Sequence, residues 1–172
     1  MNSDVVKILA RRSVREYTSE PVSTANIREL LKAAMSAPSA SARDPWHFIV
    51  VRNPSSLDRI ASLLPNGKSL AAAPLGIVVC GDMQAAHGRE LSYLLQDCSA
   101  ATENLLLAAS MLELGACWLG VHPRKERIEG LRQMFSLPPS IIPVAVVAIG
   151  HPKATPLGRT RFDEAKVHRE IW

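Results

Sequence analysis

Apolar positions recur along the chain first at helical and then at extended spacing. Val5, Val6, Ile8 and Leu9 make a stripe that Ser3 can cap and that ends near Arg11-Arg12, which predicts a short first helix. Glu16 to Val22 contains Pro21 and reads as extended or turn. Ser23 or Thr24 opens a helix with Ile27, Leu30, Leu31 and Ala34 on one face, stopped by Pro38. Pro38 to Pro45 is a loop of small residues, and Trp46 to Val51 a strand. Asn53-Pro54 begins a helix that buries Leu57, Ile60, Ala61 and Leu64. Asn66-Gly67-Lys68 is a turn before a central strand over Pro74 to Cys80.

Glu90 to Leu114 is predicted to be helical, with apolar residues covering far more than one stripe. A helix apolar on most of its surface has to be covered on most of its surface, and one small sheet covers only one side. A second copy of the chain is expected to cover the rest; the competing arrangement is a central helix wrapped by its own neighbours. Gly115 is expected to end this helix, ahead of a strand over Ala116 to Val121. Pro123 to Met134 reads as an amphipathic helix and Ile142 to Ile149 as a strand closed by Gly150. From His151 to Trp172 there are too few apolar residues to pack alone, yet the chain ends Ile171-Trp172. An arm reaching across a partner subunit would account for both; a frayed terminus is the alternative. Helices outnumber strands in an irregular order without repeats, which makes this an α+β chain of one domain, residues 1–172.

Composition narrows the function. The 172 residues are 47% hydrophobic and 21% charged, typical of a folded globular protein. A net charge of +4 suits a phosphorylated ligand, and with only 5% aromatics there is little on which to stack bases. Cys80, Cys98 and Cys117 are widely spaced in apolar runs and read as inert buried thiols of a reducing compartment. The broken apolar run at residues 5–9 does not match a secretory leader, and no apolar run approaches the roughly 20 residues of a membrane span. The expected location is the cytoplasm.

Arg11-Arg12-Ser13-Val14-Arg15 sets three guanidinium groups and a hydroxyl within one short stretch, a donor set suited to a phosphate monoester. Solvated arginines at a helix C-terminus are the bland alternative. There is no Gly-x-Gly-x-x-Gly fingerprint, no P-loop, no metal-ligand spacing among the histidines and no nucleophile motif. With no evident side-chain catalyst, the chemistry is expected to belong to a phosphate-bearing cofactor, which would also give Arg159-Thr160-Arg161 a purpose.

Four blocks in order resemble the FMN-dependent nitroreductase family. They are Arg11 to Arg15, Ala37 to Ala40 running into Pro45 to Val51, Asp97 to Gly120, and Ile149 to Pro152 with Arg159-Thr160-Arg161 and Trp172. The resemblance implies a central, mostly antiparallel sheet flanked by helices in an intertwined homodimer, with residues 151–172 as an arm exchanged onto the partner. It also implies FMN at the dimer interface, reduced by NADH or NADPH and reoxidised by a small-molecule acceptor such as a nitroaromatic or quinone. Arg11, Arg12 and Ser13 match positions that hold the phosphate and ribityl chain, Arg15 one near the pyrimidine edge, and Arg159 and Arg161 the basic pair closing on the phosphate. Pro38, Ser39 and Ala40 match the loop that approaches the flavin from the partner. Trp118, Leu119 and Gly120 match the segment facing N5 and O4, and Lys68 a lysine near the flavin. Ala42 stands where many relatives carry a polar amide, and Asp44 where glutamine is usual. Short connections at 81–91 and 121–132 predict an open substrate pocket. An FMN-binding sensor or carrier without reductase activity is the alternative, and a basic nucleic-acid module a more distant one.

Overall fold

The computed structural model describes residues 2–154 and 156–172. Helices α1 (Ser3–Ala10) and α2 (Thr24–Met35) lead into strand β1 (Trp46–Val51) and helices α3 (Pro54–Leu63) and α4 (Lys68–Ala71). Strand β2 (Leu75–Asp82), helix α5 (Leu91–Met111), strand β3 (Gly115–Gly120), helix α6 (Lys125–Phe135) and strand β4 (Ile141–Gly150) complete the regular structure before an extended tail. The strands form one antiparallel sheet in the order β1-β2-β4-β3, so β1 and β3 are its two edges.

Alternation along the inner strands divides the core. Ile77, Val79, Val147 and Ile149 face α2 and α5, packing with Leu30, Ala34, Leu94 and Leu105. Val78, Cys80, Val146 and Ala148 face the other way, onto Leu57, Ile60, Leu70 and Leu131. Both faces are covered, which is why β2 and β4 read as unbroken apolar runs instead of alternating ones.

Most predicted elements are present, with four differences. Asn2, not Ser3, caps α1, its side chain accepting the Asp4 amide at 2.8 Å. The stripe on α1 is not buried in this chain: Val5, Val6 and Ile8 are exposed. The turn at 66–68 continues into the one-turn helix α4. Gly115 does not end α5. The helix stops three residues earlier with Glu113 left-handed (φ 60°), the Glu113 amide bonding Ser110 O and the Leu114 amide bonding Ala109 O. That paired closure is a Schellman motif, here without its usual glycine.

Gly115 instead opens β3 at a point of close approach. A Cβ there would lie 2.6 Å from Val14 Cγ1. The bare position lets residues 13–14 lie beside β3, with the Val14 amide donating to Ala116 O at 2.9 Å. Tyr17 fastens the far end: its buried hydroxyl donates to Val14 O at 2.6 Å, with Ala148 O at 3.2 Å, and burial pushes the phenol well above its ordinary pKa. Helix α5 buries Leu94, Asp97, Cys98, Ala101, Leu105 and Ala109 against α2 and the sheet, while Leu91, Tyr93 and Met111 remain exposed. The tail from residue 156 is exposed, with Leu157, Phe162, Ile171 and Trp172 turned to solvent. Among the described residues no helix is long and apolar enough to cross a membrane.

Two measurements test this core. Gly115→Val should cost about 1–3 kcal/mol through the clash with Val14, seen in thermal denaturation as a fall of about 2–4 °C for each kcal/mol. Burial pushes the Cys80 and Cys98 thiols from 9.0 up to about 12, Cys98 with added repulsion from Cys80 and Asp97. Both therefore hold their protons more tightly folded than unfolded. Their contribution to stability is complete below pH 9.0 and is lost as pH rises toward about 12. The melting temperature should accordingly fall above pH 9.0, and iodoacetamide should label these thiols at pH 8 only after denaturant is added.

Candidate functional site

The arginine segment runs along the outer edge of β3. Because Ala116 O accepts from Val14, the main-chain groups of Ala116 point outward, and strand alternation turns those of Trp118 and Gly120 the same way. The Gly120 carbonyl accepts from Arg127 Nη1 at 2.8 Å. A Cβ on Gly120 would meet nothing within 4 Å. This glycine is therefore required neither by crowding within the chain nor by a left-handed backbone, and it leaves a flat, bare stretch of strand edge with amides facing out. The turn Leu64-Pro65-Asn66 lies across a shallow cleft from Trp118, Gly120 and Arg127. Lys68 starts the next helix, where the buried Ser69 hydroxyl donates to Asn66 O at 3.4 Å; burial raises the Cys117 thiol's pKa against the opposing effects of Arg15 and Ser69.

Arg15 sits by Cys117 and Tyr17, and Ser13 is exposed at its bridge to Ala116. Arg11 pairs through Nε with Glu103 Oε1 on α5 at 3.4 Å, half-withdrawn from solvent. Arg12 Nη1 reaches Leu157 O at the start of the tail, at 3.5 Å. A cavity of about 380 Å³ opens here, bounded by Arg12, Val14, Ser110, Glu113 and Ala116. Arg159 lines an open apolar cleft with Val6, Leu9 and Phe162, and Arg161 is exposed. Residues Arg11 to Arg15 and Trp118 to Gly120 thus gather at one edge of the sheet, Lys68 follows the turn that faces Trp118 and Gly120, and the tail bearing Arg159 begins beside Arg12.

Pro38, Ser39 and Ala40 do not join them. They precede β1, the opposite edge strand, which lies three strand spacings, roughly 14 Å, from β3. Their loop is tightly built. Ser41, Ala42 and Asp44 are left-handed, with φ of 53°, 50° and 49°. Ser39 Oγ donates to Asp44 Oδ1 at 2.5 Å and accepts the Asp44 amide at 2.9 Å, so Asp44 closes the loop upon itself. The Ala40 amide donates to Asp97 Oδ1 on α5 at 2.9 Å.

Sequence reasoning passed over Arg127, Ser69 and Asp97. Arg127 reads as one more charge on a polar helix face, and Ser69 falls in a helix too short to show a period. Asp97 carried a signal, a carboxylate inside an otherwise apolar stretch of α5.

Comparison with known proteins adds a family. A sequence model of the Nitroreductase family matches residues 8–67 and 62–151. A provisionally named NADH dehydrogenase/NAD(P)H nitroreductase of Methanothermobacter thermautotrophicus is 43% identical over 165 residues, 96% of this chain and 85% of that protein. A crystal structure bearing the same provisional name, from Parabacteroides distasonis, superposes with a TM-score of 0.94 at 38% identity, covering 100% of both chains. A provisionally named nitroreductase from Desulfovibrio desulfuricans, solved in complex with FMN, superposes with a TM-score of 0.86 at 31% identity over 100% of this chain and 99% of that one.

Proposed function

The chain belongs to the nitroreductase family and is an FMN-dependent NAD(P)H oxidoreductase; we propose that it passes the electrons on to nitroaromatics, quinones or similar electron-poor acceptors, working as a homodimer. The observation that carries this reading is the edge of β3. Bare backbone at Gly120, outward amides at Trp118 and Gly120, and the nearby cation Arg15 suit a flat, electron-accepting ring whose reduced form is anionic.

The residues present fit FMN. Arg11, Arg12 and Ser13 would hold its phosphate and ribityl chain, joined by Arg159 and Arg161 from the arm. Arg15 would lie toward the pyrimidine edge, Lys68 near the flavin, and Trp118 and Gly120 toward the redox edge; Leu119, paired with Val146 of β4 and buried, turns away from that edge. When bound, FMN supplies hydride acceptance and return at N5. The protein orients it, offers amide donors where charge develops, and leaves protonation to solvent. The same geometry supports the proposed homodimer. With Pro38, Ser39 and Ala40 at the far edge, one chain cannot set both groups on one ring, whereas a second copy brings its own loop to the first copy's β3. Residues 83–90 connect β2 to α5 through one short turn of 3₁₀ helix, which supports an open acceptor pocket.

Two experiments test this reading. Purified protein should show flavin absorbance that bleaches on anaerobic addition of NADH or NADPH and returns when a quinone or nitroaromatic is added. Bands that no nucleotide bleaches would favour a flavin sensor or carrier. Replacing both Arg11 and Arg15 by Ala should weaken FMN binding by about a hundredfold or more, as expected from two charge-assisted hydrogen bonds; unchanged affinity in a titration of the apoprotein would rule out this cluster as the cofactor site.

A further inference from the structure

Asp97 is the anomaly of the central helix. It is 4% exposed, and Oδ2 is the one fully buried side-chain oxygen or nitrogen among the described residues without a hydrogen-bond partner. A carboxylate so placed is a burden on the core unless it does something an apolar residue could not. Its other oxygen shows what that is. Oδ1 takes the Ala40 amide, the first of the 3₁₀ turn Ala40–Ala42, and this is the side-chain bond that ties the loop to α5. Within Ser39–Asp44 the remaining hydrogen bonds are internal, through Ser39 and Asp44 and two local main-chain bonds, and the loop is next fixed only at its end, where Pro45 O accepts the Asp82 amide at 2.8 Å. Three left-handed residues without a glycine among them are strained, and they need an external anchor to stay in one conformation.

We infer that Asp97 is a positioning residue that sets the loop Ser39–Asp44 in the form that meets flavin. The inference rests on the proposed reading of the site and extends it. Helix α5 then serves two cofactor positions at once. Glu103, pairing with Arg11, braces the site at its own β3 edge, while Asp97 two turns earlier prepares the loop offered to the partner.

The test uses full-length apoprotein, FMN as the probe, and the variants Asp97→Ala and Asp97→Asn. Asp97→Ala should raise the Kd for FMN about tenfold or more, the loss expected for one charge-assisted hydrogen bond, and should speed hydrogen exchange at the Ala40 amide. Asp97→Asn keeps an acceptor for that amide and should restore binding to within about threefold of wild type. A carboxylate that merely stabilised the helix would instead lower the melting temperature of the apoprotein in step with affinity, with no rescue by Asn. Should Asp97→Ala fail to fold, Ala40→Pro removes the donor from the other side. Ser39, at φ −134° and ψ 157°, already has the extended backbone that a following proline requires, and the same loss of affinity is expected. Wild-type affinity in Asp97→Ala or Ala40→Pro, or an Asn variant as weak as the Ala variant, would overturn the role given to Asp97. A wild-type chain that takes up no FMN would overturn the reading of the site itself.

Discussion

One hydrogen bond, from the Val14 amide to the Ala116 carbonyl at 2.9 Å, fastens the arginine segment to the edge of the sheet. It forms because Gly115 has no side chain to push Val14 away, and it sets the phase of everything beyond it. Once Ala116 points its carbonyl outward, Trp118 and Gly120 must point their amides outward too. The cationic segment and the open strand edge are thus one arrangement with one cause. Tyr17, buried behind them and bonded to Val14 O, keeps the segment from peeling off.

The sheet order imposes the second constraint. With β1 and β3 as opposite edges, the two groups of residues assigned to one flavin belong to different ends of one rigid layer. No side-chain rotation closes a gap of roughly three strand spacings. On the proposed assignment a single chain would present two half-sites, each tied to α5, one through Glu103 and the other through Asp97.

Much of this was legible in the sequence, because long elements announce themselves. The stripe of α2, the runs of β2 and β4 and the length of α5 each depend on many residues, so one atypical position does not hide them. The local features were not legible. Helix α4 is four residues long and shows no period. Glu113 occupies a left-handed position that ordinarily signals glycine, which drew the expected helix end onto Gly115. The arginine cluster could be named but not its neighbours: that Arg11 meets Glu103, and Arg12 the carbonyl of Leu157, depends on which elements the fold sets side by side. Asp97 was visible as a carboxylate in an apolar helix, but its partner lies 57 positions away along the chain.

The exposed apolar residues of α1 and the tail bear on how the protein comes into being. Val5, Val6 and Ile8 are about half exposed, and Leu157 and Trp172 are 90% and 99% exposed. In the proposed dimer a second copy would cover this surface, and a freshly synthesised chain would carry it exposed until then. Encounter between copies is second order in concentration, whereas capture by chaperones or proteases is governed by their abundance and not by that of the chain. Scarcity would therefore lengthen the vulnerable interval, so the yield of functional protein should climb more steeply than its rate of synthesis.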